Sequence, residues 1–203
     1  MDKFEIIKNF LLDENISPEI RRERFEIAWD IKENFDKIKA KLSLEKVIKP
    51  LKEKFEQYLN TYTVSRFDYG SIYITKPHWK ESKNDRGIVA IAIERWFKDT
   101  STVGLVKNTG SKLPLEDEVR NLLEQKYGLR TTHSWWLGYL PDERKLPTTK
   151  LPLREYYLQI LLNSERVIEE HFLALKEVLD IANEKEISQL LEKIVKERKK
   201  QTL

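Results

Sequence analysis

The sequence has no cysteine among its 203 residues. Disulfides, thiol nucleophiles and thiolate metal sites are therefore excluded. No apolar run reaches the roughly 18 residues that a membrane-crossing helix requires. The opening stretch, "MDKFEIIKNFLLDENISPE", lacks an apolar core followed by small residues, so no secretory signal is expected and the chain is assigned to the cytoplasm. The phosphate-cradling pattern G-x-x-x-x-G-K-[ST] is missing as well. "NTGSK" (108–112) offers a glycine and a lysine at the wrong spacing, and Glu116, Asp117 and Glu118 beyond it would repel a phosphate. The three histidines, His78, His133 and His171, lie far apart, and none belongs to a pair at metal-ligand spacing on a helix. No cofactor is expected. Charge of one sign is scarce too: 37 Lys and Arg against 34 Asp and Glu leave a formal +3. That excludes a strongly polyanion-seeking protein while leaving local basic patches open.

What is present is charge of both signs, 35% of residues, over a hydrophobic content of 40% that can still build a core. Abundant Lys and Glu with one Met resemble thermophile usage. Three zones follow one another, read as parts of one compact domain: helical (1–62), mixed (63–141) and helical (142–203). In the first, Ser17 reads as an N-cap with Pro18 at the first helical position. Ala28, Ile31, Phe35, Ile38 and Leu42 then recur at spacings of three and four, an apolar stripe on one helix face. A second stripe, Leu44, Val47, Ile48, Leu51, Phe55 and Tyr58, is interrupted by Pro50, which predicts a kink or a new helix start. The two stripes suggest an antiparallel pair or one long bent helix.

In the middle zone "YGSIYIT" (69–75), "GIVAIAIERWF" (87–97), "TVGLVK" (102–107) and "THSWWLGYL" (132–140) read as four strands. A helix begins after Pro114, with acids in its first turn and Gly128 as its C-terminal stop. The expected fold is α+β: a small, mostly antiparallel four-stranded sheet with one packed helix, flanked by long terminal helices. Three prolines make 141–152 an extended loop. The last zone is helical with a phase shift near Asn183, hence two helices or one broken helix.

The chemistry-bearing candidates are aromatics interleaved with cations. Lys76, His78, Trp79, Lys80, Lys83 and Arg86 share one polar loop, and Arg130 precedes the tryptophan pair; together they are the candidate contacts for nucleic acid or a partner. The competing reading is a sheet core edged by snorkelling cations. It is favoured for Trp96 and one of Trp135 and Trp136, whereas Trp79 is equally a packed indole or a surface contact. Adjacent strand residues point to opposite faces. One of the tryptophan pair is therefore expected against the helix at 115–127, and the other under a helix starting near Leu153. His171, beside an apolar stripe, is expected to pack.

The order of elements, "ERW" (94–96) and the double tryptophan leading into Gly138-Tyr139-Leu140 resemble the C-terminal half of prokaryotic PD-(D/E)XK nuclease-like proteins, over roughly residues 20 to 180. Many of those belong to defence systems or mobile elements, and their nuclease core lies upstream of this region. Their chemistry needs an Asp and a strand-borne Glu-x-Lys. Here Asp68 is followed by Glu94-Arg95-Trp96, with Trp where Lys is required. Glu81-Ser82-Lys83 and Glu197-Arg198-Lys199 carry the letters in a loop and a terminal helix. The resemblance thus implies an accessory domain without nuclease activity. The expectation is a non-enzymatic regulatory or antiviral-defence protein that binds a protein partner, through exposed helix stripes and the loop around Trp79, and no membrane. The alternative is a nucleic-acid-recognition accessory.

Overall fold

A computed structural model describes residues 3–58, 62–67, 71–80, 87–94 and 101–201. The chain divides into two compact units, Met1–Lys41 and Leu42–Leu203, where the sequence suggests one domain.

The first unit is a helical hairpin. α1 (Lys3–Leu12) turns back through residues 13–17 into α2 (Pro18–Ser43). Ser17 acts as the expected cap: its hydroxyl accepts from the Ile20 N–H at 3.4 Å and its carbonyl from the Arg21 N–H at 3.1 Å. Arg24 ties the two helices, donating to the Phe10 carbonyl at 2.9 Å with its guanidinium 4.7 Å from the Phe10 ring centre. An open groove of ≈ 640 Å³ between them is lined by Ile7, Leu11, Pro18 and Phe25.

In the second unit, helical backbone continues from Ser43 through a π-helical segment, Leu44–Ile48, into α3 (Lys49–Tyr58). Pro50 has no N–H to give, so the wider π turn sits where an α-helical bond would be missing anyway. The sheet follows. β1 (Thr63–Phe67), β2 (Ser71–Thr75), β3 (Val89–Glu94), β4 (Thr102–Lys107) and β5 (Trp136–Tyr139) pair in chain order, all antiparallel. The sheet thus has five strands, one more than expected. The extra strand, "TVSRF", holds Arg and Ser and shows too little apolar alternation to stand out.

Between β4 and β5 lies α4 (Glu116–Tyr127), closed by Gly128 in the left-handed conformation that glycine adopts freely (φ 63°). Beyond β5, residues 141–152 hold a 3₁₀ turn and a short helix, α5 (Pro147–Lys150), instead of an extended loop. Then come α6 (Leu153–Leu162), α7 (Ser164–Asn183) and α8 (Lys185–Gln201). The break at Asn183 falls where the stripe shifts phase. A further break at Asn163, whose backbone leaves helical geometry at φ −155° and ψ 61°, has no such signal.

Alternation decides which side chains meet the helices. Ile72, Ile74, Ile91, Ile93 and Leu105 face one way into the main core, with α3, α4, α7 and α8 supplying Leu51, Val119, Leu175 and Leu191. Tyr73, Ala90, Ala92, Val106 and Trp136 face the other way and form a second cluster. The tryptophan pair therefore departs from expectation. Trp136 is buried, but on the face away from α4, where Leu137 takes its expected place. Trp135 packs under no terminal helix: it is 46% exposed.

Candidate functional site

Pro77–Trp79 forms a single 3₁₀ turn, with Pro at a position that needs no N–H. The turn aims Trp79 inward. Its side chain is fully buried, edge-on to Tyr62 at 6.0 Å, and its Nε1–H donates to Glu192 Oε1 of α8 at 3.0 Å. The equal chance of a surface contact therefore resolves toward packing, since an indole with no exposed face cannot stack a base.

Two neighbours converge on the same carboxylate. Lys76 Nζ donates to Glu192 Oε1 at 3.1 Å while lying 4.7 Å from the Trp79 ring centre, and His78 Nε2 approaches Oε2 at 2.8 Å. Burial pulls the Glu192 pKa upward, but the hydrogen bonds from His78, Lys76 and Trp79 outweigh it and hold the group below the ordinary range. Burial, with the Glu192 charge adding to it, pushes the Tyr62 phenol well above its usual value, and its hydroxyl donates to Asn183 Oδ1 at 2.9 Å. Two turns beyond Glu192, Lys199 donates to the His78 carbonyl at 2.6 Å. The loop is thus fastened to α8 by partners more than a hundred residues away, which no local pattern announces.

Lys80 is half-buried at the end of the turn. Lys83 and Arg86, like Asp68, Trp96 and the Glu81-Ser82-Lys83 triplet, lie outside the described residues. Arg130 does not join the loop; it is exposed, with Glu143 3.5 Å away. Of the seven candidates, the fold brings together Lys76, His78 and Trp79, and it adds Glu192 and Lys199. Lys193, Lys196 and Lys200, spaced three and four apart on α8, are exposed.

Glu94 is buried and accepts a hydrogen bond from the Tyr73 hydroxyl. Among the described residues no group of three His, Asp or Glu could hold a metal ion. His171 is fully buried and stacked on Tyr156 at 5.4 Å, the expected packing role.

Lys107, Glu116 and Arg120 form a buried ionic cluster. Lys107 Nζ donates to both carboxylate oxygens of Glu116, at 2.9 and 2.7 Å, and Arg120 Nε to one of them at 3.0 Å. Despite burial, these donors and the Leu113 N–H hold the Glu116 carboxyl below its ordinary pKa. Arg120 also donates to the His133 and Ser134 carbonyls at 3.2 and 3.3 Å, and the Lys107 N–H to the Trp135 carbonyl at 2.9 Å. Trp135 is thus an exposed indole on a braced backbone.

Most of the exposed large apolar side chains among the described residues are in the first unit. On α2, Ile20, Ile27, Trp29, Ile31, Phe35 and Ile38 are 44–52% exposed. On α1, Ile6, Ile7 and Phe10 are 47–58% exposed. The stripe from Ala28 to Ile38 was legible as a helix face, and exposed stripes were expected, but not which of them would stay exposed. Length explains it: α1 spans about 15 Å against about 39 Å for α2, so it covers only the start of its neighbour. No protein-family model matches this chain, and no curated protein or solved structure matches it either.

Proposed function

We propose that the protein is a non-enzymatic interaction module that docks a protein partner on its N-terminal helical hairpin. The observation that carries this reading is the row Ile27, Ile31, Phe35 and Ile38, each about half exposed on a single face of α2. Solvated apolar rows of this length mark interaction sites more often than accidents of composition. Completing the burial of each residue returns roughly 1 kcal/mol, half the usual value for an aliphatic or aromatic side chain, which already offsets part of the cost of association. The resemblance to nuclease-like proteins suggests a prokaryotic regulatory or antiviral-defence setting, with no nuclease activity of its own.

The experiment is recovery of partners from the native cell by the full chain and by its Ile31→Glu/Phe35→Glu variant. A partner lost with the variant, at unchanged melting temperature, supports the reading. An unchanged set of partners overturns it.

A second reading has its own observation. The Lys199 bond to the His78 carbonyl brings the basic end of α8 beside the 76–80 turn. Lys193, Lys196 and Lys200 then extend a basic surface suited to a phosphate backbone. With Trp79 buried, such binding is expected to be electrostatic, steeply salt-dependent and indifferent to base sequence. A salt titration on single- and double-stranded nucleic acid checks it.

A further inference from the structure

We infer that one end of the sheet binds single-stranded nucleic acid, stacking a base on Trp135 and holding phosphates on the lysines around the 76–80 turn. This rests on the second reading above and adds the kind of nucleic acid and the residue that distinguishes it. Antiparallel pairing in chain order brings the last residues of β2 and β4, Thr75 and Lys107, to the same end as the first residues of β3 and β5, Val89 and Trp136. Hydrogen bonds continue the row. The Ile88 N–H donates to the Trp79 carbonyl at 2.7 Å, the Asn108 N–H to the Ile88 carbonyl at 3.0 Å, and the Lys107 N–H to the Trp135 carbonyl at 2.9 Å. The 76–80 turn and Trp135 therefore stand at one end of the sheet, three strand spacings or about 15 Å apart.

Trp135 is exposed where Trp79 and Trp136 are buried. Its backbone is fixed before any ligand arrives. Besides the Lys107 bond, Arg120 holds the His133 and Ser134 carbonyls, and the Trp135 N–H donates to His133 Nδ1 at 3.3 Å. An indole carried on a fixed backbone loses little freedom on stacking, and every base has a face to offer it.

Cations are in excess here. Glu192, Glu116 and Asp117 already face Lys76, Lys107 and Lys112. Lys80, Lys193, Lys196 and Lys200 have no ion-pair partner among the described residues, and against them stand only two acids in the same position, Glu118 and Glu197. Lys199 joins the two parts by its bond to the His78 carbonyl. A duplex would meet the lysines, but its bases are paired and stacked, out of reach of the indole. A single strand offers both an unstacked base and a row of phosphates.

The test uses the full chain in anisotropy titrations with a labelled oligothymidylate and a labelled duplex of equal length. The single strand should bind at least about fivefold more tightly than the duplex. Trp135→Ala should weaken the single strand by about five- to a hundredfold, leave the duplex unchanged and so remove the preference. Trp135→Phe should restore part of it, since a smaller ring still stacks. Because Trp135 is at the surface, the melting curves of both variants should overlay the parent's. Lys196→Ala/Lys200→Ala should weaken both ligands and lower the salt slope for the single strand by about 1.4. If binding is salt-dependent and sensitive to the lysines but equal for the two ligands and untouched by Trp135→Ala, the basic surface stands and this inference fails alone. If neither ligand binds, or binding ignores the lysine changes, the second reading fails with it.

Discussion

Apolar side chains are spent differently in the two units. In residues 42–203, most isoleucines and valines of the sheet and of α7 and α8 are buried, and Trp79 and Trp136 with them. In residues 1–41 the same residue types at helical spacing remain about half exposed, Ile31 and Phe35 among them. The stripes look alike as sequence. The difference is cover within each unit: the helices of the second unit lie against five strands, whereas in the first unit α2 meets the much shorter α1. An amphipathic stripe therefore states that a face must be buried and leaves open whether its own chain does the burying.

The sharpest way to break this comparison is to cut into the covered unit. Trp136→Ala and Trp79→Ala should each lower stability by about 3–5 kcal/mol, read by denaturant unfolding, as expected for a fully buried large aromatic. A loss under about 1 kcal/mol for either would place that indole outside the core. Next in size is the buried ionic cluster. Glu116→Leu leaves Lys107 without its carboxylate, and a loss of about 3 kcal/mol is expected. The additional change Lys107→Met should recover part of it, because one of the two cations that face Glu116 is then gone.

The Glu192 clasp gives a smaller effect with a defined pH dependence. The folded protein holds this carboxyl below its ordinary range. It therefore adds stability that is fully present above the unfolded value, roughly pH 4.3, and is lost as pH falls through the lower folded value. Glu192→Gln should cost about 1 kcal/mol near neutrality, kept small by partial exposure, and should flatten the acid limb of stability against pH. An unchanged acid limb would mean that the clasp does not couple to folding. Smallest of all, Trp135→Ala should change stability by less than about 0.5 kcal/mol, as a surface substitution does. Its melting curve against that of Trp136→Ala measures the contrast within one dipeptide.

Much of the local structure was legible because its causes are local. Ser17-Pro18 starts a helix, Gly128 ends one, and "TVGLVK" is β4 from its first residue to its last. β1 escaped because Thr63, Ser65 and Arg66 give a sheet partner to β2 without the alternation that marks a half-buried strand. Strand alternation sets the direction of Trp136 but not of Trp135, which stands in the turn before β5, and which face of the sheet is covered depends on where distant helices return. The same holds at the candidate site. The basic-aromatic loop was visible, yet Trp79 is turned inward by a carboxylate 113 residues away. Long-range partners of this kind leave no trace in a local pattern.

The central claim, that the α2 stripe serves a partner and not the fold, is tested most directly by thermal unfolding of the isolated Ile31→Glu/Phe35→Glu variant beside the parent. The account predicts melting temperatures within about 2 °C of each other, because two half-exposed apolar residues exchanged for solvated glutamates should change stability by less than about 1 kcal/mol. A fall of 8 °C or more, on the order of the loss from a core substitution in a chain of this size, would contradict it. The stripe would then be part of the protein's own packing.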